Sequence, residues 1–150
     1  MVRHRVCPLA VAAVVVLTVG GCGGGGGPDR RTDVAHVKQV VRRALADLAA
    51  GDGAGFCALS TPAGRAELGR ALPGATCAEL VARVSRQLPA VVRTGLAHAE
   101  IRKVTIAGGR AAVADADIVA TRGTLTGFLS AQRTPTTLTR QSDGSWKIAG

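Results

Sequence analysis

Apolar residues along the first part of the chain recur at the spacing of one helical face. In residues 33–51 aliphatic side chains lie three or four positions apart, and most charged side chains, including Asp47, fall between them. Asp33 or the threonine before it can cap such a helix, and Gly51 can end it. The pattern predicts an amphipathic helix whose buried positions are Val34, Val37, Val40, Val41, Ala44, Leu45 and Leu48.

Shorter helices are predicted from here to about residue 92, each with its own start signal. Asp52 can cap a short second helix, and Pro62 occupies a first helical position after a threonine. Thr76 and Glu79 have the spacing of a capping box, in which each side chain binds the backbone N–H of the other residue. This last helix ends or kinks at Pro89, because proline cannot continue the hydrogen-bond ladder.

The second part of the chain, from about Ala99, has the pattern of an antiparallel sheet. Gly108-Gly109 is a two-residue hairpin signal, so residues equidistant from it should face each other, which sets Val104 against Val113. Strands are predicted at 101–107, 110–120, 125–131 and 136–141, with a final strand containing Trp146 and Ile148 after a turn at Asp143-Gly144.

Two acidic residues in this sheet are the candidate catalytic residues, Asp115 and Asp117. Side chains at i and i+2 lie on one side of a strand, so the two carboxyl groups can crowd each other and raise one pKa, as an acid/base site requires. The alternative is a solvated strand face, with Glu100 nearby and Arg102 paired with Asp115, while alanines form the opposite face.

The N-terminal residues 1–21 have the organisation of an exported leader. Arg3 and Arg5 precede an apolar run over 9–19, and two glycines follow it. At about 1.5 Å per residue this run spans about 16 Å, against about 30 Å for the hydrocarbon core of a bilayer. A cleaved signal peptide is therefore favoured over a retained membrane span.

The residues that close this run, Val19-Gly20-Gly21-Cys22, resemble the lipobox of bacterial lipoproteins. In that family the cysteine is lipidated and becomes the first residue of the mature chain. The resemblance implies lipidation at Cys22 and a lipid anchor at the extracytoplasmic face of the cell membrane. A plainly secreted chain is the alternative. Glycine-rich residues 22–32 are predicted to be a flexible linker, and 33–150 a single domain.

Two further cysteines, Cys57 and Cys77, remain in the mature chain beside Cys22. Export places them in an oxidising compartment, so a disulfide is predicted, with two buried free thiols as the alternative. His36 lies inside the first helix and His98 stands alone, so no metal and no cofactor is expected.

The charge of the chain restricts its partners. Nineteen basic residues against ten acidic ones give a formal net charge of +9. The basic residues are spread along the chain, and Phe56, Phe128 and Trp146 are the only aromatic residues, too few to stack bases. A nucleic-acid partner is therefore not expected, whereas weak attraction to anionic lipid headgroups is.

The order of elements over residues 33–148 resembles the NTF2-like, or cystatin-like, α+β cone fold. The resemblance rests on an opening amphipathic helix that ends at 49–52 (AAGD) and a sheet that closes with 143–148 (DGSWKI). Small exported actinobacterial lipoproteins look similar, often with cysteines placed like Cys57 and Cys77. The implied fold is N-terminal helices packed on a curved antiparallel sheet around a pocket, in a family whose members often dimerise.

Three function classes follow from this resemblance, whose family includes isomerases, cyclases and noncatalytic binders. The favoured one is a noncatalytic module that binds a small apolar ligand or an envelope protein through the sheet cavity. The second is an isomerase- or cyclase-type enzyme with Asp115 or Asp117 as base, although family isomerases use a tyrosine donor and this chain has no tyrosine. The third is a structural envelope component, which predicts a filled interior.

Overall fold

The structure is a computed structural model that describes residues 28–71, 74–120 and 135–149. Within them the chain forms helices followed by antiparallel strands, so the predicted α+β class is confirmed. The helices are α1 (Pro28–Ala50), α2 (Gly53–Ala58), α3 (Pro62–Ala71), α4 (Cys77–Gln87) and α5 (Ala90–Ala97). The strands are β1 (Ala99–Ile101), β2 (Thr105–Ala107), β3 (Arg110–Val113), β4 (Ile118–Ala120), β5 (Thr136–Arg140) and β6 (Trp146–Ile148). The leader, Cys22, linker residues 23–27 and the predicted strand at 125–131 lie outside the described residues.

Helix α1 is longer than its apolar pattern predicts. It begins at Pro28, so residues 28–32, which were predicted to belong to a flexible linker, are helical. This start agrees with the preference of proline for a first helical position. The predicted apolar face is confirmed at Val37, Val41 and Ala44, which are almost fully buried.

The three predicted helix starts are confirmed by hydrogen bonds. The side chains of Asp52 and Thr61 accept backbone N–H groups in the first turns of α2 and α3 at 2.9 and 3.0 Å. At the start of α4 the Thr76 hydroxyl accepts the N–H of Glu79 at 3.2 Å, and the Glu79 carboxylate accepts the N–H of Thr76 at 2.8 Å. That backbone hydrogen bond favours the ionised form, so the pKa of Glu79 is lowered.

Helix α5 was not predicted as a separate helix, because the predicted helical part ended at about residue 92 and no element was assigned between there and the first strand. Its segment is short and contains Gly95 and β-branched residues, which have low intrinsic helix propensity. Leu96 is fully buried and α5 packs along α1, so tertiary contacts stabilise this helix.

The described strands form a four-stranded antiparallel sheet in the order β2-β3-β5-β6 and a separate β1-β4 pair. The predicted hairpin register is confirmed: Ala107 pairs with Arg110 across Gly108 and Gly109, whose φ angles are +55° and +75°. Positive φ at both central positions is the requirement of a tight hairpin turn, which glycine meets without steric cost.

The predicted register is wrong farther from the turn. Ile101 faces Ile118 instead of Ala116, because residues 115–117 form a 3-10 turn that interrupts the predicted long strand. Asp115 and Asp117 therefore do not share a strand face. The backbone N–H of Arg102 donates to the Asp117 carbonyl at 2.8 Å, and no ion pair joins Arg102 to Asp115.

The core lies between the helices and the inner face of the sheet. On β3 the buried residues are Ala111 and Val113, whereas Ala112, on the face that was predicted to lie opposite the aspartates, is only partly buried. Ile118, predicted on the same face as Ala112, is buried. Trp146 on β6 is 3% exposed, and its indole Nε1 donates to Asp33 Oδ1 on α1 at 3.1 Å. This bond joins the end of the chain to the first helix.

Candidate functional site

A cavity of about 360 Å³ lies between the first four helices and the ends of several strands. Ligand pockets typically enclose about 300 to 1,000 Å³, so the volume suits a small ligand. The lining is mostly aliphatic. Among the described residues it consists of Val41, Ala44, Leu45, Leu48, Phe56, Ser60, Gly64, Glu67, Leu68, Leu80, Val81, Val84, Asp115, Ile118, Pro135, Thr136 and Ile148.

The longest wall of the cavity is the C-terminal half of α1. Ala44, Leu45 and Leu48 extend the stripe that begins with the buried Val37, so the helical period that builds the core also builds this wall. Opposite, α4 contributes residues including Val84 from its own apolar face. The cavity is therefore a gap between the apolar faces of two amphipathic helices.

The disulfide Cys57–Cys77 is confirmed and lies beside this cavity. It joins α2 to the first residue of α4, with the two Cα atoms 6.2 Å apart. Phe56, which directly precedes Cys57, lines the cavity. Leu80, which lies one helical turn after Cys77, also lines it. The bridge thus fixes the separation of two walls.

Among the described lining residues, two of the four polar side chains, Ser60 and Glu67, interact with neighbouring groups, and the other two are Asp115 and Thr136. The Ser60 hydroxyl is fully buried and donates to the Phe56 carbonyl at 3.3 Å. Glu67 on α3 forms an ion pair with Arg70 on the next turn. These interactions leave one ionisable group at the wall, Asp115, whose side chain forms no hydrogen bond or ion pair with any described residue.

The structure separates the two candidate aspartates. Asp115 is half-buried and lines the cavity, whereas Asp117 is not among the lining residues. Burial raises the pKa of the Asp115 carboxyl above its ordinary value, because desolvation disfavours the ionised form. The predicted cause, crowding by a second carboxylate on the same strand, was wrong.

The raised pKa of Asp115 gives a testable dependence of stability on pH. The folded chain binds this proton more tightly than the unfolded chain, so this residue lowers the free energy of unfolding as pH rises through the folded pKa. We expect Asp115→Asn to unfold at the same temperature as the wild type near pH 3 and slightly above it near pH 7. The measurement is thermal unfolding across this range. Asp117→Asn removes the same charge outside the cavity, and a larger gain for this control than for Asp115→Asn contradicts the assignment.

A buried aspartate on α1 was missed by the sequence pattern, which placed Asp47 on the polar side. It is 5% exposed. Its Oδ1 accepts from Arg43 Nε at 2.8 Å, while Oδ2 is buried with no hydrogen-bond partner in the described part of the chain. Its backbone carbonyl also accepts the N–H of Asp52 at 2.8 Å, in the break between α1 and α2. A buried aspartate on a polar helix face has no local sequence signal.

The remaining sequence candidates lie away from the cavity. His36 and His98 are exposed and do not line it. Over residues 28–71, 74–120 and 135–149, no three His, Cys, Asp or Glu side chains are placed to hold a metal ion. In the same ranges no helix has the length and apolar character needed to cross a bilayer. The lipidation candidate, Cys22, falls outside the described residues.

The cavity has no local sequence signal and was expected only from the family resemblance, although four of its lining residues, Val41, Ala44, Leu45 and Leu48, were predicted as buried positions. Nothing matched the chain when it was compared with protein-family models, with curated proteins and with solved structures.

Proposed function

We propose that this chain is a lipid-anchored extracytoplasmic protein that binds a small, mostly apolar ligand without chemically changing it. The observation that carries the proposal is the aliphatic cavity of about 360 Å³ between α1 and α4. Burying an apolar ligand there releases about 25 cal/mol for each Å² of apolar surface removed from water, which supports binding without a dense set of polar contacts. A cavity of this size between described residues favours binding over a purely structural role, for which a filled interior is expected.

The anchor and the finer fold belong to the same proposal. The match of Val19-Gly20-Gly21-Cys22 to a lipobox supports lipidation at Cys22, and the glycines after it suit a short tether. Helices that precede and pack on antiparallel strands support an NTF2-like cone as part of this proposal. The proposal assigns the cavity to the pocket of that fold. The ligand site then lies close to the outer surface of the cell membrane.

An isomerase- or cyclase-type enzyme is the second candidate, and the position of Asp115 at the cavity favours it. A base that removes a proton beside a carbonyl also needs hydrogen-bond donors for the oxyanion that forms. The chain has no tyrosine, and the Ser60 hydroxyl already donates to a backbone carbonyl, so the Thr136 hydroxyl is the remaining hydroxyl donor among the described lining residues. The oxyanion holes of acyl-transfer enzymes use several donors. The cavity therefore fits a binding role better than this chemistry.

The test is a methyl NMR titration of the full chain in lipid nanodiscs with deuterated 1-octanol, a neutral apolar probe. We expect saturable shifts at the methyl groups of Leu45, Leu48 and Val84, which line the cavity, and none at the exposed Val91. Partitioning of the probe into lipid cannot produce this residue pattern.

A matched pair of variants locates the bound probe. Ala44→Phe places a ring into the cavity from α1 and should weaken octanol binding about tenfold, because it removes the volume that the probe occupies. Ala35→Phe makes the same change on the exposed side of α1 and should have no effect. Shifts spread over exposed methyls, or equal binding by the two variants, contradict the proposal.

A further inference from the structure

Among the residues that the structure describes, the ionisable side chains at the wall of the cavity are all acidic. Its ionisable lining residues within the described part of the chain are Glu67 and Asp115, and no lysine, arginine or histidine is among them. Glu67 already has a partner, because it forms an exposed ion pair with Arg70. The Asp115 carboxylate has no such partner among the described residues.

An unpaired carboxylate against an aliphatic wall is an unfavourable arrangement that a ligand can relieve. Half-burial removes part of the hydration of Asp115 without supplying a donor in return. The exposed Arg102 is tied through its backbone to the Asp117 carbonyl, and its guanidinium forms no ion pair with Asp115. A hydrogen-bond donor on the ligand would supply the partner that the Asp115 carboxylate lacks.

We propose, on the basis of the function proposed above, that the cavity selects apolar ligands that carry a protonated amine. Asp115 is the counter-ion, and the aliphatic faces of α1 and α4 hold the hydrocarbon part. A cationic donor fits this site best because charge-assisted hydrogen bonds to a carboxylate are about twice as strong as neutral ones.

The net positive charge of the chain predicts tighter binding of anionic ligands, whereas Asp115 predicts tighter binding of cationic ones. Because the two effects predict different orders of affinity, an experiment can separate them. Without Arg3 and Arg5 of the leader, seventeen basic residues against ten acidic ones give a formal charge of +7, which attracts anionic ligands at long range. Exposed charges are screened beyond about 10 Å at 0.1 M salt, whereas Asp115 contacts the cavity directly. Local charge is therefore expected to decide affinity at physiological salt.

The experiment repeats the methyl NMR titration with three probes of equal chain length: octylammonium, 1-octanol and octanoate. We expect the wild-type chain to bind octylammonium about fivefold more tightly than octanol, the gain of one partly exposed ion pair, and octanoate most weakly. Asp115→Asn should remove the preference for the amine and leave octanol affinity unchanged. Asp117→Asn, which removes a charge from the same turn but outside the cavity, should keep the wild-type order.

The outcomes distinguish this inference from the proposed function. Octanol binding in the cavity without any preference for octylammonium, or a preference that survives Asp115→Asn, overturns the inference and leaves the binding function standing. Failure of all three probes to shift the cavity methyls overturns both. Tighter binding of octanoate than of octylammonium shows that the net charge decides, and also overturns the inference.

Discussion

Replacing Cys57 and Cys77 together by serine is expected to lower the free energy of unfolding by about 3 kcal/mol. The two residues are 20 positions apart and bridged, so the bond restricts the unfolded chain by closing a loop of that length. Urea unfolding of the full chain in nanodiscs, followed by the fluorescence of the buried Trp146, measures the change. The denaturation midpoint should fall by the corresponding amount.

A reductant supplies the matched control for this prediction. It should destabilise the wild-type chain and leave the double serine variant unchanged, because the variant has no bridge to lose. If the wild type unfolds at the same urea concentration with and without reductant, the bridge does not form in the exported protein. That result would also contradict the oxidising compartment inferred from the leader.

Gly53→Ala is expected to lower the free energy of unfolding by about 3 kcal/mol, which is near the upper end of the range typical of overpacked cores. A Cβ at this position would lie 2.6 and 2.7 Å from the Cα and carbonyl carbon of Ala78, closer than atoms approach without a shift. The obstacle is the backbone of α4, which cannot rotate away as a long side chain can. Urea unfolding followed by Trp146 fluorescence again gives the change in stability.

Gly69→Ala is the control for this prediction and should have the opposite sign. Gly69 lies inside α3, and a Cβ there meets no atom within 4 Å. Alanine is about 1 kcal/mol more favourable than glycine in a helix interior, so this variant should be more stable than the wild type. Similar effects at the two glycines would contradict the close approach of α2 to α4.

Both large effects concern the junction of α2 and α4, which also positions the cavity. Phe56 extends from α2 to one side of the cavity and Val84 from α4 to another. Because the bridge and Gly53 set the separation of these helices, either change should also weaken octanol binding. The shape of the cavity therefore depends on the distance between α2 and α4.

Local features of the fold were predictable because their causes lie within a few residues. The capping box at Thr76 and Glu79 depends on residues three positions apart, and the hairpin register near Gly108-Gly109 on the geometry of a two-residue turn. The disulfide followed from compartment and from the small number of thiols. None of these predictions needed knowledge of tertiary contacts.

Features that depend on distant parts of the chain could not be predicted. Helix α5 has weak propensity and is stabilised by packing on α1, and Asp47 is buried although its position suggests a polar face. Asp115 was predicted as a candidate catalytic residue because it was expected to share a strand face with Asp117. The 3-10 turn removes that face and places Asp115 at the cavity for a different physical reason.

The most direct test of the proposed function is intact mass spectrometry of the protein extracted from its native membrane, before and after denaturation. A lipid-anchored binding protein should give a chain that begins at an acylated Cys22, retains the Cys57–Cys77 bridge and releases a small apolar molecule on unfolding. A chain that keeps residues 1–21, has no acyl group and has two free thiols would contradict the anchor, the compartment and the site near the membrane.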